Sequence, residues 1–161
     1  MLLEFRPRRV ALDPVTQTPI VLLVDKDGSK MIPIWVGQAE ANAIFVAMES
    51  IEAPRPMTHD LMRDLVRKLG ASVLRIEITD IRESTYYATT YLKCKRDVIA
   101  VDSRPSDAIA LALRCSAPIY VSDEVLSKTT VVDLTFKMKE NDKLLEILES
   151  LDPEDFGKYK M

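Results

Sequence analysis

Apolar and polar positions along the chain alternate between two periods. Three strand-like runs come first, at about 8–13 (RRVALD), 19–25 (PIVLLVD) and 30–36 (KMIPIWV), with Asp27-Gly28 as the turn between the last two. The pattern then becomes helical over AEANAIFVAMESIE, where Ala43, Ile44, Ala47, Met48 and Ile51 share a face. Ala53-Pro54-Arg55-Pro56 breaks this helix, Thr58 is the expected N-cap of the next, and Gly70 ends it. A second trio of strands follows at about 72–82, 85–95 and 97–101, then a helix over PSDAIALALRC and a short strand at about 118–121.

Strand–strand–strand–helix therefore occurs twice. An offset of 65 residues superposes Ile34 on Ile99, Val36 on Val101, Ala43 on Ala108, Ile44 on Ile109 and Ala47 on Ala112. An internal duplication leaves such a trace. The expected fold class is α+β: a duplicated three-strand-plus-helix unit, as two layered three-stranded sheets with helices packed between or against them. Residues 1–125 form the expected domain. Residues 126–161, with Leu144, Leu145, Leu148 and Leu151 on one stripe, form an expected C-terminal helical extension docked on it.

Composition narrows the class without naming an activity. Apolar residues make up 47% and charged residues 29%, enough for a core and unlike a disordered chain. The net charge of −3 provides no global field for nucleic acid, so any such contact is local. The N-terminus lacks the apolar segment of a signal peptide, no run is long enough to span a membrane, and the chain is expected to be cytoplasmic. Cys94 and Cys115 match no metal or redox spacing and are expected to be free, buried thiols. Motifs of serine hydrolases, P-loop NTPases, dinucleotide-binding folds and zinc enzymes are missing.

Three polar clusters interrupt the apolar pattern. Gly37-Gln38-Ala39-Glu40 opens the first repeat helix, where glycine permits a tight turn and Glu40 complements the helix dipole. Arg55-Pro56-Met57-Thr58-His59-Asp60 holds the single histidine, a candidate general acid/base, beside a carboxylate, with Arg55 on a proline-stiffened approach. The structural alternative is that Thr58 caps, Asp60 answers the dipole and His59 faces solvent. The third, Asp102-Ser103-Arg104-Pro105-Ser106-Asp107, gathers two carboxylates, two hydroxyls and a guanidinium at one helix start, an arrangement suited to phosphate. Its structural alternative has Ser103 capping the free amides. Asp107 sits where the helix turns apolar, so it needs a partner such as Arg104 or Arg55.

Pro33-Ile34-Trp35-Val36-Gly37 with Glu40, then Arg55 to Leu61, then Asp102 to Ala112, resemble the bifunctional nuclease domain family in a stand-alone bacterial form, over about residues 8–125. The resemblance implies a nuclease for RNA, DNA or both, within the same duplicated fold. On this reading His59, Asp60, Asp107 and Glu40 are catalytic. Arg55, Ser103, Arg104 and Ser106 bind phosphate, and Asp102 with Asp107 holds one Mg²⁺ or Mn²⁺. An acidic chain then needs a basic track beside the site, from Arg6, Arg8 and Arg9 or from Lys93, Lys95 and Arg96. The alternative is a non-enzymatic binding or regulatory module whose clusters are capping and ion-pair networks. Under either reading a homo-oligomer is expected, because the apolar content leaves surface for an interface.

Overall fold

The computed structural model describes residues 1–133. The leucine stripe at 144–151 lies outside the described residues. The elements run β1 (Leu2–Leu12), β2 (Pro19–Asp25), β3 (Lys30–Trp35), α1 (Gln38–Met48), α2 (Thr58–Lys68), β4 (Ala71–Arg82), β5 (Thr85–Cys94), β6 (Asp97–Ser103), α3 (Pro105–Cys115), β7 (Ile119–Ser122), α4 (Asp123–Lys128) and β8 (Val132–Asp133). Displaced by 65 residues, β2, β3 and α1 fall within one or two residues of β5, β6 and α3 at their starts, so the repeat in sequence is a repeat of elements.

The α+β class holds, but the expected pair of sheets is one sheet. Eight strands run in the order β6-β5-β4-β7-β1-β2-β3-β8. Two antiparallel meanders, β1-β2-β3 and β4-β5-β6, are joined by β7, which lies parallel to β4 and antiparallel to β1. Four residues of β7 are enough for this, because they satisfy backbone groups that β1 and β4 would otherwise leave open. Strand β1 begins six residues before the expected start. Its first part, Leu2 to Phe5, pairs with β7, and a register shift between Pro7 and Arg9 carries it on along β2.

Helices α1 and α3 bury their small apolar residues against one sheet face. There Val21, Leu23, Ile32, Ile34, Ile76, Ile78 and Ala88 form one core with Ala43, Ile44, Ala108, Ile109 and Ala112. Alanine at these helical positions lets backbones approach closely, and full burial of each Ile or Leu contributes about 1.5–3 kcal/mol. A second cluster, Ile20, Leu22, Val24, Met31 and Trp35, occupies the opposite face of β2 and β3. Burial on both faces explains why β2 reads as a continuous apolar run. Cys94 and Cys115 are free, as expected, but only partly buried.

Candidate functional site

Helix α3 starts with the chain already extended at Arg104 (φ −69°, ψ 142°) and Pro105 in its first turn, a pre-formed N-terminus. No side chain caps it. Ser103, expected on these amides, instead shares a 3.0 Å hydrogen bond with Thr90 Oγ1 and donates to the Val101 carbonyl. Helix α2 is likewise capped from an unexpected position: its N-cap is Met57, whose amide donates to Asp60 Oδ2 at 2.9 Å, and Thr58 is already helical.

Residues from all three clusters meet where α1, α2 and α3 start. His59 Nε2 is 2.9 Å from Asp107 Oδ1. Arg104 donates from Nε to Asp107 Oδ2 (2.8 Å) and from Nη2 to Glu40 Oε1 (2.7 Å). The result is a continuous chain, Glu40–Arg104–Asp107–His59, across elements up to 64 residues apart in sequence. The Glu40 carboxylate lies where a side chain on residue 37 would place its Cβ. Gly37 has an ordinary φ of −69°, so glycine is required here for space, not for the tight turn the sequence suggested.

Burial separates these groups. His59 is only 5% exposed, against a solvent-facing position in the structural alternative above, whereas the Arg104 side chain is 52% exposed. Burial acts to raise the Asp107 pKa, but the hydrogen bonds from Arg104 and His59 outweigh it and hold the carboxyl below its usual value. Arg104 is correspondingly pushed up by Asp107 and Glu40.

Asp60 belongs to a second node that sequence reasoning missed. Arg114, 5% exposed by side chain, donates from Nε to Asp60 Oδ1 (2.7 Å) and from Nη1 to the Ala110 carbonyl (2.8 Å). The Asp60 carboxyl is lowered first by the Met57 amide, against burial, and then by Arg114. The adjacent pair His59-Asp60 thus ties the start of α2 to both ends of α3. The available signal was an arginine seven residues after Asp107, two turns along the same face of an apolar helix.

Other candidates lie apart. Arg55 is exposed, and among the described residues no hydrogen bond joins it to the cluster. Ser106 is fully buried, its hydroxyl without a partner among the described residues. Asp102 pairs with Thr89, and strand alternation turns it to the sheet face away from Ser103 and α3. The Lys93-Lys95-Arg96 turn sits at the other end of β6, about 20 Å of extended strand from Ser103. Arg6 and Arg9 lie on β1, across β5, β4 and β7 from β6. Among the described residues no hydrogen bond or ion pair joins Arg6, Arg9, Lys93, Lys95 or Arg96 to the cluster.

A divalent cation needs carboxylate oxygens turned to a common point. Here both Asp107 oxygens and one of Glu40 are engaged, the Arg104 guanidinium lies between the two carboxylates, and Asp102 faces away. Among the described residues no group of three or more His, Cys, Asp or Glu is placed to hold an ion. The cluster is built around arginine and does not fit Mg²⁺ or Mn²⁺. Among these residues no helix is long and apolar enough to cross a membrane.

The Bifunctional nuclease domain profile matches residues 21–133. A Mycobacterium tuberculosis (strain ATCC 25618 / H37Rv) protein with the name "Uncharacterized protein Rv1829" is 37% identical over 162 residues, covering 95% of this chain and 97% of its own length. "Bifunctional nuclease 2" of Arabidopsis thaliana is 33% identical over 106 residues, 64% of this chain and 32% of that protein. "Bifunctional nuclease 1" of Oryza sativa subsp. japonica is 29% identical over 123 residues, 74% of this chain and 37% of that protein.

Proposed function

This chain belongs to the bifunctional nuclease domain family, and from that premise we propose that it cleaves single-stranded RNA at the His59–Asp107–Arg104 cluster. The observation that carries the reading is the convergence: one imidazole held by a carboxylate, beside a half-exposed arginine, at the uncapped start of α3. These groups supply acid–base catalysis and charge stabilisation without a metal. A ribose 2′-hydroxyl provides the nucleophile that they lack. The 2′-oxygen bonds to phosphorus while the His59 nitrogen not engaged by Asp107, Nδ1, takes its proton. The bond from phosphorus to the 5′-oxygen breaks, that oxygen recovers a proton from the imidazolium, and a 2′,3′-cyclic phosphate remains. Asp107 positions the ring and stabilises its protonated form, and Arg104 faces the phosphate.

The test is cleavage of matched RNA and DNA single strands by purified protein, with and without EDTA, beside a His59→Ala variant confirmed to be folded. Expected are RNA products ending in cyclic phosphate, a rate indifferent to EDTA, and cleavage by the variant lowered at least roughly a hundredfold. DNA cut equally fast, or activity abolished by EDTA, contradicts the proposed chemistry.

A second reading has its own support. His59 is nearly buried and every carboxylate of the cluster is satisfied within the chain, as in a structural clamp. If no nucleic acid is cut, the module is a binding or regulatory one, and its surface carries the function.

A further inference from the structure

Between α2, α3 and the sheet the fold leaves a cavity of about 280 Å³. Helical spacing sets its walls. Met62 and Val66 follow His59 on one face of α2, at i+3 and i+7, and Leu111 stands one turn after Asp107 on α3. The floor is β5 and β6, where Thr90 lies opposite Val101 and Ser103, two residues on, faces the same side. Val101 (40%) and Leu65 (53%) reach solvent at the rim, whereas Thr90 (4%) lies deep.

The polar part of the lining is gathered where β6 runs into α3. Asp107 borders the cavity and also holds His59 and Arg104, so the cavity and the cluster share a side chain. Ser103 donates to the Val101 carbonyl, which assigns the hydrogen of the 3.0 Å Thr90–Ser103 bond to Thr90. Both hydroxyl hydrogens are thereby engaged within the chain, and the two oxygens keep lone pairs in hand. The pair can accept from a ligand.

We propose that this cavity is a nucleobase subsite, taking the base of the nucleotide whose phosphate meets Arg104. That choice of occupant rests on the nuclease reading. The volume lies just below the roughly 300–1,000 Å³ of sites for drug-sized ligands, which leaves room for one base and not two. Apolar walls from two facing helices suit the faces of a planar ring, and the Met62 thioether favours contact with an aromatic one. The acceptor pair suits the base edge, because every RNA base carries an N–H on its Watson–Crick side. With the base here and the phosphate at Arg104, the ribose lies between them, beside the Asp107–His59 pair.

The experiment titrates uridine 3′-monophosphate, its N3-methyl counterpart and inorganic phosphate into wild type, Leu65→Trp and Thr90→Val, followed by amide chemical shifts, with RNA cleavage measured separately. Wild type should bind the uridine nucleotide more than about tenfold more tightly than inorganic phosphate, and the amides of Met62, Val101 and Leu111 should shift for the nucleotide alone. Methylation at N3 removes the only N–H of the base and should weaken binding more than about tenfold. Thr90→Val should weaken it about threefold to tenfold. Leu65→Trp, which fills the mouth from an exposed position, should erase the advantage over phosphate with an unchanged unfolding midpoint. A nucleotide that binds no more tightly than phosphate, leaves those three amides unshifted or keeps its advantage in Leu65→Trp overturns the subsite. Affinity indifferent to both N3 methylation and Thr90→Val overturns the role of the hydroxyl pair. Base binding by a chain that cuts no RNA keeps the subsite and rejects the nuclease reading, whereas RNA cleavage with a KM indifferent to Leu65→Trp rejects the subsite alone.

Discussion

Two arginine–carboxylate nodes flank the start of α2, and they differ where it matters. Arg114 is almost wholly buried, fixes Asp60 and also holds a carbonyl of its own helix. Arg104 joins Asp107 and Glu40 with half of its side chain in solvent. A buried guanidinium cannot meet a substrate, whereas an exposed one can exchange an internal partner for a phosphate at small cost. On the proposed reading identical chemistry serves as a bolt in one place and as a contact surface in the other, and burial decides which.

The comparison predicts opposite signatures for the two nodes. The largest effect is on rate: His59→Ala should lower RNA cleavage roughly 10²- to 10⁴-fold in single-turnover assays on protein whose circular dichroism matches wild type. Next comes stability, where Arg114→Ala removes the buried guanidinium from Asp60 and leaves that carboxylate only the Met57 amide. It should reduce unfolding free energy by about 2–4 kcal/mol in urea titrations, while the remaining folded protein keeps its turnover.

Acid should expose both nodes more gradually. Asp60 and Asp107 are held below the usual carboxylate value in the folded chain, so their contribution to stability is complete above an unfolded pKa of about 3.9. It is lost as the pH falls through the lower folded values. Urea midpoints should hold down to about pH 4 and decline below it, with a shallower decline in Asp60→Asn. Smallest is Gly37→Ala, whose Cβ displaces the Glu40 carboxylate from Arg104. A stability change under about 1 kcal/mol is expected, with KM for RNA altered more than kcat.

The elements were largely legible because their signals are local. Proline and glycine bracket α2, and α3 spans the same residues, 105–115, as its sequence pattern. The single sheet was not, because a parallel pairing of β7 with β4 joins residues 43 apart and leaves no local trace. The early start of β1 was hidden by Pro7, which a bulge accommodates. Short α4 and β8 carry too few residues for a period to show. In the site, the sequence named clusters from which the fold brings Glu40, His59, Arg104 and Asp107 together, but not their wiring. His59 and Asp107 are 48 residues apart and meet only because α2 packs on α3, and Ser103 turned to Thr90 once β6 paired with β5. Asp102 shows the sharpest limit: one step along a strand places it on the opposite face from its neighbour.

The most direct test of the division between the two nodes sets Asp107→Asn beside Arg114→Met, measuring for each the RNA cleavage rate per folded molecule and the unfolding free energy. The account predicts that Asp107→Asn loses most of its rate and little stability, and that Arg114→Met loses stability and keeps its rate. Equal rate loss in both variants, or full activity in Asp107→Asn, contradicts it.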